Sequence, residues 1–132
     1  MKWLDRRMVD CPFYFGLCLS PEELQRELQR LGVKQEVPFM LTDHAHATTH
    51  FLVHGATGRH CAIVCMCPPD DRTGVQIAAL LVHESVHIWQ EARARMGERS
   101  PSSEFEAYSI QAIAQELMQA YAEYHGLAKE QK

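Results

Sequence analysis

Between Val75 and Met96 the chain reads "VQIAALLVHESVHIWQEARARM", with no proline or glycine and with residues that mostly favour helix. One long helix over that span is the frame around which everything else must be arranged. The preceding "PPDDRTG" (68–74) breaks any earlier strand and offers Asp71 or Thr73 as N-cap, and Gly97 closes the helix. After the loop "GERSPSS", the stretch "SEFEAYSIQAIAQELMQAYAEYHG" reads as a second long helix, with Ser103 as N-cap and Gly126 as terminator.

The first half has a different texture. "CPFYFGLCL" (11–19) is aromatic and apolar and reads as a strand. "SPEELQRELQRLG" is a helix with marked ends: Ser20 as N-cap, Pro21 at the first helical position, Glu23 completing a capping box and Gly32 as stop. Leu24, Leu28 and Leu31 form its buried stripe. "VPFML" reads as a short extended piece, and "ATTHFLVHGATGRHCAIVCMC" as two strands joined at "GATG". In the first of these, Thr48, His50, Leu52 and His54 share one face and Thr49, Phe51 and Val53 the other. The pattern is α+β, in one domain over residues 1–132, without internal repeats or linkers.

Composition narrows the function. With 46% hydrophobic and 23% charged residues the chain is neither a disordered polar tail nor a membrane protein, and no apolar run approaches the ~18 residues that span a bilayer. Net charge is −4 and the basic residues are scattered, so nucleic acid is a poor partner. The start "MKWLDRRMVDCPFYFGLCLS" lacks the uninterrupted apolar core and the cleavage site of a secretory signal, because Asp5 and Asp10 intervene. Five cysteines form an odd set without framework spacing, with Cys65 and Cys67 on one side of a strand as small buried residues. Reduced thiols and no leader give a cytoplasmic expectation.

In the middle of the long helix stands "HESVH", an HExxH motif. At i and i+4, His83 and His87 project from one helical face one turn apart, so two imidazole nitrogens can meet one ion. Glu84 is rotated away from them. It can reach a metal-bound water without ligating, which is the position of a general base. The bland alternative is two histidines on a partly exposed face with Glu84 in water.

Zinc also needs a third protein ligand. A metzincin would carry glycine at 90 and histidine at 93, where this chain has Gln90 and Arg93. The remaining source is a glutamate of the next helix, Glu104 or Glu106. Glu106 shares a face with Ile110, Ile113 and Leu117, whereas Glu104 lines up with Tyr108, Gln111 and Gln115, so Glu106 points toward the core, where a cation would compensate its burial. Its competing role is a capping box with Ser103.

"HESVH" followed by Glu106-Ala107 resembles the gluzincin metallopeptidases, and "SEFEAYSIQAIAQELM" resembles the ligand helix of the ImmA/IrrE-type peptidases. Residues 61–118 are also similar to small uncharacterised proteins of tailed phages and prophages, which would set the protein in the host cytoplasm. The resemblance implies a minimal zincin-like fold: a small antiparallel sheet packed on the HExxH helix, with the ligand helix antiparallel beside it. It implies one zinc per chain held by His83, His87 and Glu106, Glu84 as general base and acid, and a peptide or protein as substrate. Thermolysin-like members carry an aspartate four residues beyond the zinc glutamate to orient the first histidine; here that residue is Ile110. The absence favours an alternative reading, a catalytically weak or inactive phage structural or host-interaction module with a structural zinc.

No oxyanion-stabilising group is singled out among Tyr108, Tyr121, Tyr124 and His125. His44, His46, His50, His54 and His60 cluster around the two strands, chiefly as polar positions on a sheet edge and turn. Zincins bind extended substrates along an edge strand, so one or two of these could line the cleft. A second metal site through His44 and His46 has only the signature of a short His-rich tract. Trp89 reads as a packing anchor with its indole nitrogen at the rim.

Overall fold

The computed structural model describes residues 1–4, 12–42, 44–67 and 71–125. Along the chain lie β1 (Lys2–Leu4), β2 (Tyr14–Cys18), α1 (Pro21–Leu31), β3 (Ala47–Val53), β4 (His60–Met66), α2 (Gly74–Met96) and α3 (Ser103–Tyr124). The fold is α+β, as the sequence pattern requires. Cys11, Asp5, Asp10, the prolines at 68 and 69 and the expected terminator Gly126 lie outside the described residues.

The helices form where local chemistry marks their ends. Ser20 accepts a hydrogen bond from the Glu23 amide at 3.2 Å, and Gly32 at φ 70° returns its amide to the last carbonyls of α1. The Glu23 side chain does not complete the capping box. It is buried and takes hydrogen bonds from the Met1 amino group, the Leu19 amide and the Tyr124 hydroxyl, so tertiary partners claim it instead. For α2 the cap is Thr73, with Gln76 closing a full capping box, and Gly97 at φ 72° ends it. α3 is capped one residue earlier than expected, by Ser102, whose hydroxyl accepts from the Phe105 amide at 3.2 Å. That shift puts Phe105 at the position a capping glutamate would occupy and frees Glu106.

The sheet is mixed rather than antiparallel, which corrects the expected architecture. Strand order is β1-β2-β4-β3; β2 runs parallel to β4, with Tyr14 opposite Cys61 and Cys18 opposite Cys65, and the other two pairings are antiparallel. The cause lies in the connection between β2 and β4. The chain crosses one face as α1, runs back along the far edge as β3, and turns into the centre as β4 in the same sense as β2. "VPFML" forms no strand, and β1 is an element that sequence reading did not isolate.

Helices cover both faces, and the strands show it. β4 is an almost continuous apolar run, as a strand buried on two sides should be. Its Ala62, Val64 and Met66 join Phe15, Leu17, Leu81, Ile88, Trp89, Ile113 and Leu117 on the α2/α3 side. Cys61, Ile63 and Cys65 join Cys18, Leu24, Leu28 and Leu31 on the α1 side. The hairpin is locked to α1 by a close backbone approach: the Gly55 amide donates to Leu31 O at 2.7 Å, and a side chain at Gly55 would come within 2.5 Å of Gly32 O. Among the described residues no helix is long and apolar enough to cross a membrane.

Candidate metal and active site

The buried residues of α2 are Ile77, Leu81, Glu84, Ser85, Ile88, Trp89 and Ala92, a single broad face pressed on the sheet and α3. His83 and His87 stand on the opposite, exposed side. One turn apart, they converge: His83 Nε2 and His87 Nε2 are 3.1 Å from each other, with the rings edge to face at 4.8 Å. Two nitrogens at about 2.0–2.1 Å from one tetrahedral ion are separated by roughly 3.3 Å, so this pair fits a zinc edge without rearrangement. Metal-free, one Nε2 carries the proton that the other accepts.

Glu84 sits on the boundary between the buried and exposed faces and turns inward, 4% exposed. Its Oε2 accepts a hydrogen bond of 2.5 Å from Thr49 Oγ1, in the middle of β3. Thr49 lies opposite Val64 in the sheet and therefore faces α2. β3 is an edge strand, so Glu84 is tied to a strand whose outer side pairs with no other strand of the sheet. A cleft of about 410 Å³ opens there, with His83, Glu84 and His87 on one wall and Leu41, Ala45, Thr49 and Phe51 among the others.

Glu106 is elsewhere. The periodicity argument for its face holds, since Ile113 and Leu117 are buried while Glu104, Gln111 and Gln115 are exposed. Its carboxylate is engaged by Trp89, whose Nε1 donates to Glu106 Oε2 at 2.9 Å. Trp89 projects from the side of α2 that meets α3, far around the helix from the two histidines, and stacks edge to face on Phe105 at 5.3 Å. Its indole nitrogen is not at a rim, because the residue is 1% exposed. The structure thus brings His83, Glu84 and His87 together and leaves Glu106 apart. Among the described residues no three His, Cys, Asp or Glu side chains are grouped to hold a metal.

The other sequence candidates have local work. His50 is buried, with Nε2 3.3 Å from Phe39 O; His54 Nδ1 caps the hairpin turn by accepting from the Ala56 and Thr57 amides. His46 meets Arg72 at 2.6 Å, and His60 meets Arg95 at 3.3 Å, while His44 is exposed. Ile110, where an orienting aspartate would stand, packs against the core. None of Tyr108, Tyr121, Tyr124 and His125 lines the cleft; Tyr124 bonds Glu23 and Tyr121 stacks on His125 at 4.4 Å. The residue that sequence reading missed is Thr49. Its signal was present in the strand alternation, which set it on the face opposite His50, but not in any spacing to the motif.

Comparison with family models, with curated proteins and with solved structures finds no match for the chain. The class that fold and site define is an α+β domain with an HExxH helix against the edge strand of a mixed sheet.

Proposed function

We propose that the protein is a small zinc-dependent peptidase that cleaves an extended peptide or protein segment in the cleft between α2 and β3. The observation that carries this reading is the meeting of two imidazole nitrogens, 3.1 Å apart, beside a carboxylate turned inward and bonded to the edge strand. His83 and His87 would hold one zinc ion per chain, with Glu106 as third ligand. Bound there, the ion supplies Lewis acidity toward a water molecule and the scissile carbonyl.

Glu84 takes the proton of the attacking water and returns it to the leaving amine. The Thr49 hydroxyl occupies Oε2, so Oε1 is the oxygen left for proton transfer, and the same bond keeps the carboxylate from swinging into solvent. The unpaired edge of β3 receives the substrate backbone by strand addition, with Leu41 and Phe51 against its side chains. This reading requires Glu106 to come to the histidine pair, by a rotamer change or a shift of the first turn of α3. Reaching the pair would break the bond from Trp89 Nε1 to Glu106 Oε2, which lies far around α2 from the histidines. The separation of Glu106 from the pair favours the second reading, a module with weak or no catalysis.

Elemental analysis of protein purified without chelator should give about one zinc per chain. Glu106→Ala should weaken zinc at least about tenfold, and Glu104→Ala should leave it unchanged. A mixed peptide library incubated with wild type should yield new termini that chelation abolishes and Glu84→Gln lowers by about 10² to 10⁴. Undiminished cleavage by Glu84→Gln would refute the mechanism. Bound zinc with no cleavage of the library would favour the silent module.

A further inference from the structure

From Val75 to Gln90 the helix α2 carries a single charged residue, Glu84, and that one turns inward onto Thr49. The outward side of this stretch is therefore uncharged, whereas a surface helix ordinarily turns charged side chains to water. Val75, Ala79, Val82 and Val86 recur there at i, i+4, i+7 and i+11, which is one stripe of a 3.6-residue helix. Val75 is 79% and Val82 39% exposed, Ala79 is exposed and Val86 half-buried. His83, itself exposed, has Ala79 and Val86 as neighbours four and three positions away, so the histidine pair runs beside the apolar stripe.

The same face carries half of a metal site. A closed zinc site takes four ligands in a tetrahedron, and among the described residues no three His, Cys, Asp or Glu side chains are grouped to begin one within the chain. The two Nε2 atoms, 3.1 Å apart, form one edge of such a tetrahedron. A two-fold rotation exchanges opposite edges of a tetrahedron, so a second, identical pair supplies the missing edge. Two-fold contacts between identical patches are the commonest way in which like chains associate. A net charge of −4 sets two copies against each other in general, but the uncharged face of α2 brings no like charges together at the contact.

We propose that, at less than one zinc ion per chain, two copies share one ion between their α2 helices. His83 and His87 hold it together with the partner's His83 and the partner's His87, and the two valine stripes pack beside it. The inference rests on zinc binding by the histidine pair, as in the reading above, and adds a regulation of that site. Four imidazoles leave no position for water, so the shared ion is silent. Zinc beyond one ion per chain lets each pair keep its own ion and reopens the cleft.

The test is sedimentation velocity of the chelator-stripped chain at about 10–200 μM, a range that captures micromolar dissociation constants, with zinc chloride added in steps. The 15.1 kDa mass should double, and the doubling should be complete near half an ion per chain. Zinc raised to two ions per chain should return the monomer. His83→Ala should abolish the dimer, and Glu106→Ala should leave it unchanged. Val82→Glu opposes two carboxylates across the contact and should weaken dimerisation at least about tenfold, with an unaltered circular dichroism spectrum as proof of folding. A monomer that binds one zinc per chain at every ratio would overturn the sharing and leave the peptidase reading standing. A chain that binds no zinc would sink both. A zinc-dependent dimer that survives His83→Ala would overturn the ligand assignment, and one that persists in excess zinc would overturn the regulation.

Discussion

The bond between Trp89 and Glu106 links α3 to α2, and its worth can be worked out from its surroundings. Trp89 is 1% exposed and its indole N–H reaches Glu106 Oε2 at 2.9 Å. Trp89→Phe keeps an aromatic ring against Phe105 but removes that donor. A hydrogen bond to a charged group contributes about 1.5–3 kcal/mol, and the lower end applies because the half-exposed carboxylate can be rehydrated. Loss of two further buried ring carbons adds about 1.5 kcal/mol. The single variant should therefore lose about 3 kcal/mol, read from urea denaturation with an unchanged slope. Packing changes at residue 89 contribute to that figure, so the bond itself is isolated by a cycle with Glu106→Ala. The two substitutions together should cost less than the sum of their separate costs by about 1–2 kcal/mol. Additivity within about 0.5 kcal/mol would refute the idea that this bond, rather than packing alone, joins the two helices.

Thr49→Val should destabilise by about 1.5–3 kcal/mol, since it strips the donor from the buried Glu84 carboxylate, whereas Thr49→Ser should recover most of the loss; equal stabilities of the two variants in urea would sink the assignment. Burial pushes the Glu23 carboxyl up, but hydrogen bonds from the Met1 amino group, the Leu19 amide and the Tyr124 hydroxyl outweigh it and hold the group below its ordinary value. Its stabilisation is then full above the unfolded value of about 4.3 and is lost as pH falls through the folded one, so the stability gap between wild type and Glu23→Gln should shrink between about pH 6 and pH 3; a gap constant over that range would contradict the argument.

What could be read in the sequence was what a few neighbouring residues determine. Ser20, Gly32, Thr73 and Gly97 mark helix ends through bonds that span three to five positions, and all four do so in the fold. The spacing of His83 and His87 sufficed to bring their nitrogens together for the same reason. The parallel pairing of β2 with β4 depends instead on which side of the sheet a connection of some forty residues returns to, although the unbroken apolar run of β4 was itself a sign of burial on both faces. Thr49 lies 35 positions from Glu84, and no periodicity links an edge strand to a helix at that distance. Glu106 shows both limits in one residue. The 3.6-residue repeat correctly turned it toward the core, but facing the core leaves open which part of α2 it meets, and the angle between two helices is set by the side chains in their seam. Here the large side chain in that seam is Trp89, with Phe105 stacked on it, and the seam delivers the carboxylate to the indole rather than to the imidazoles. The half of the candidate metal site carried by α2 is thus encoded locally, whereas the half carried by α3 depends on how Trp89 seats the second helix. Substitutions at Trp89 should consequently alter metal affinity through Glu106 without disturbing the 3.1 Å meeting of His83 and His87.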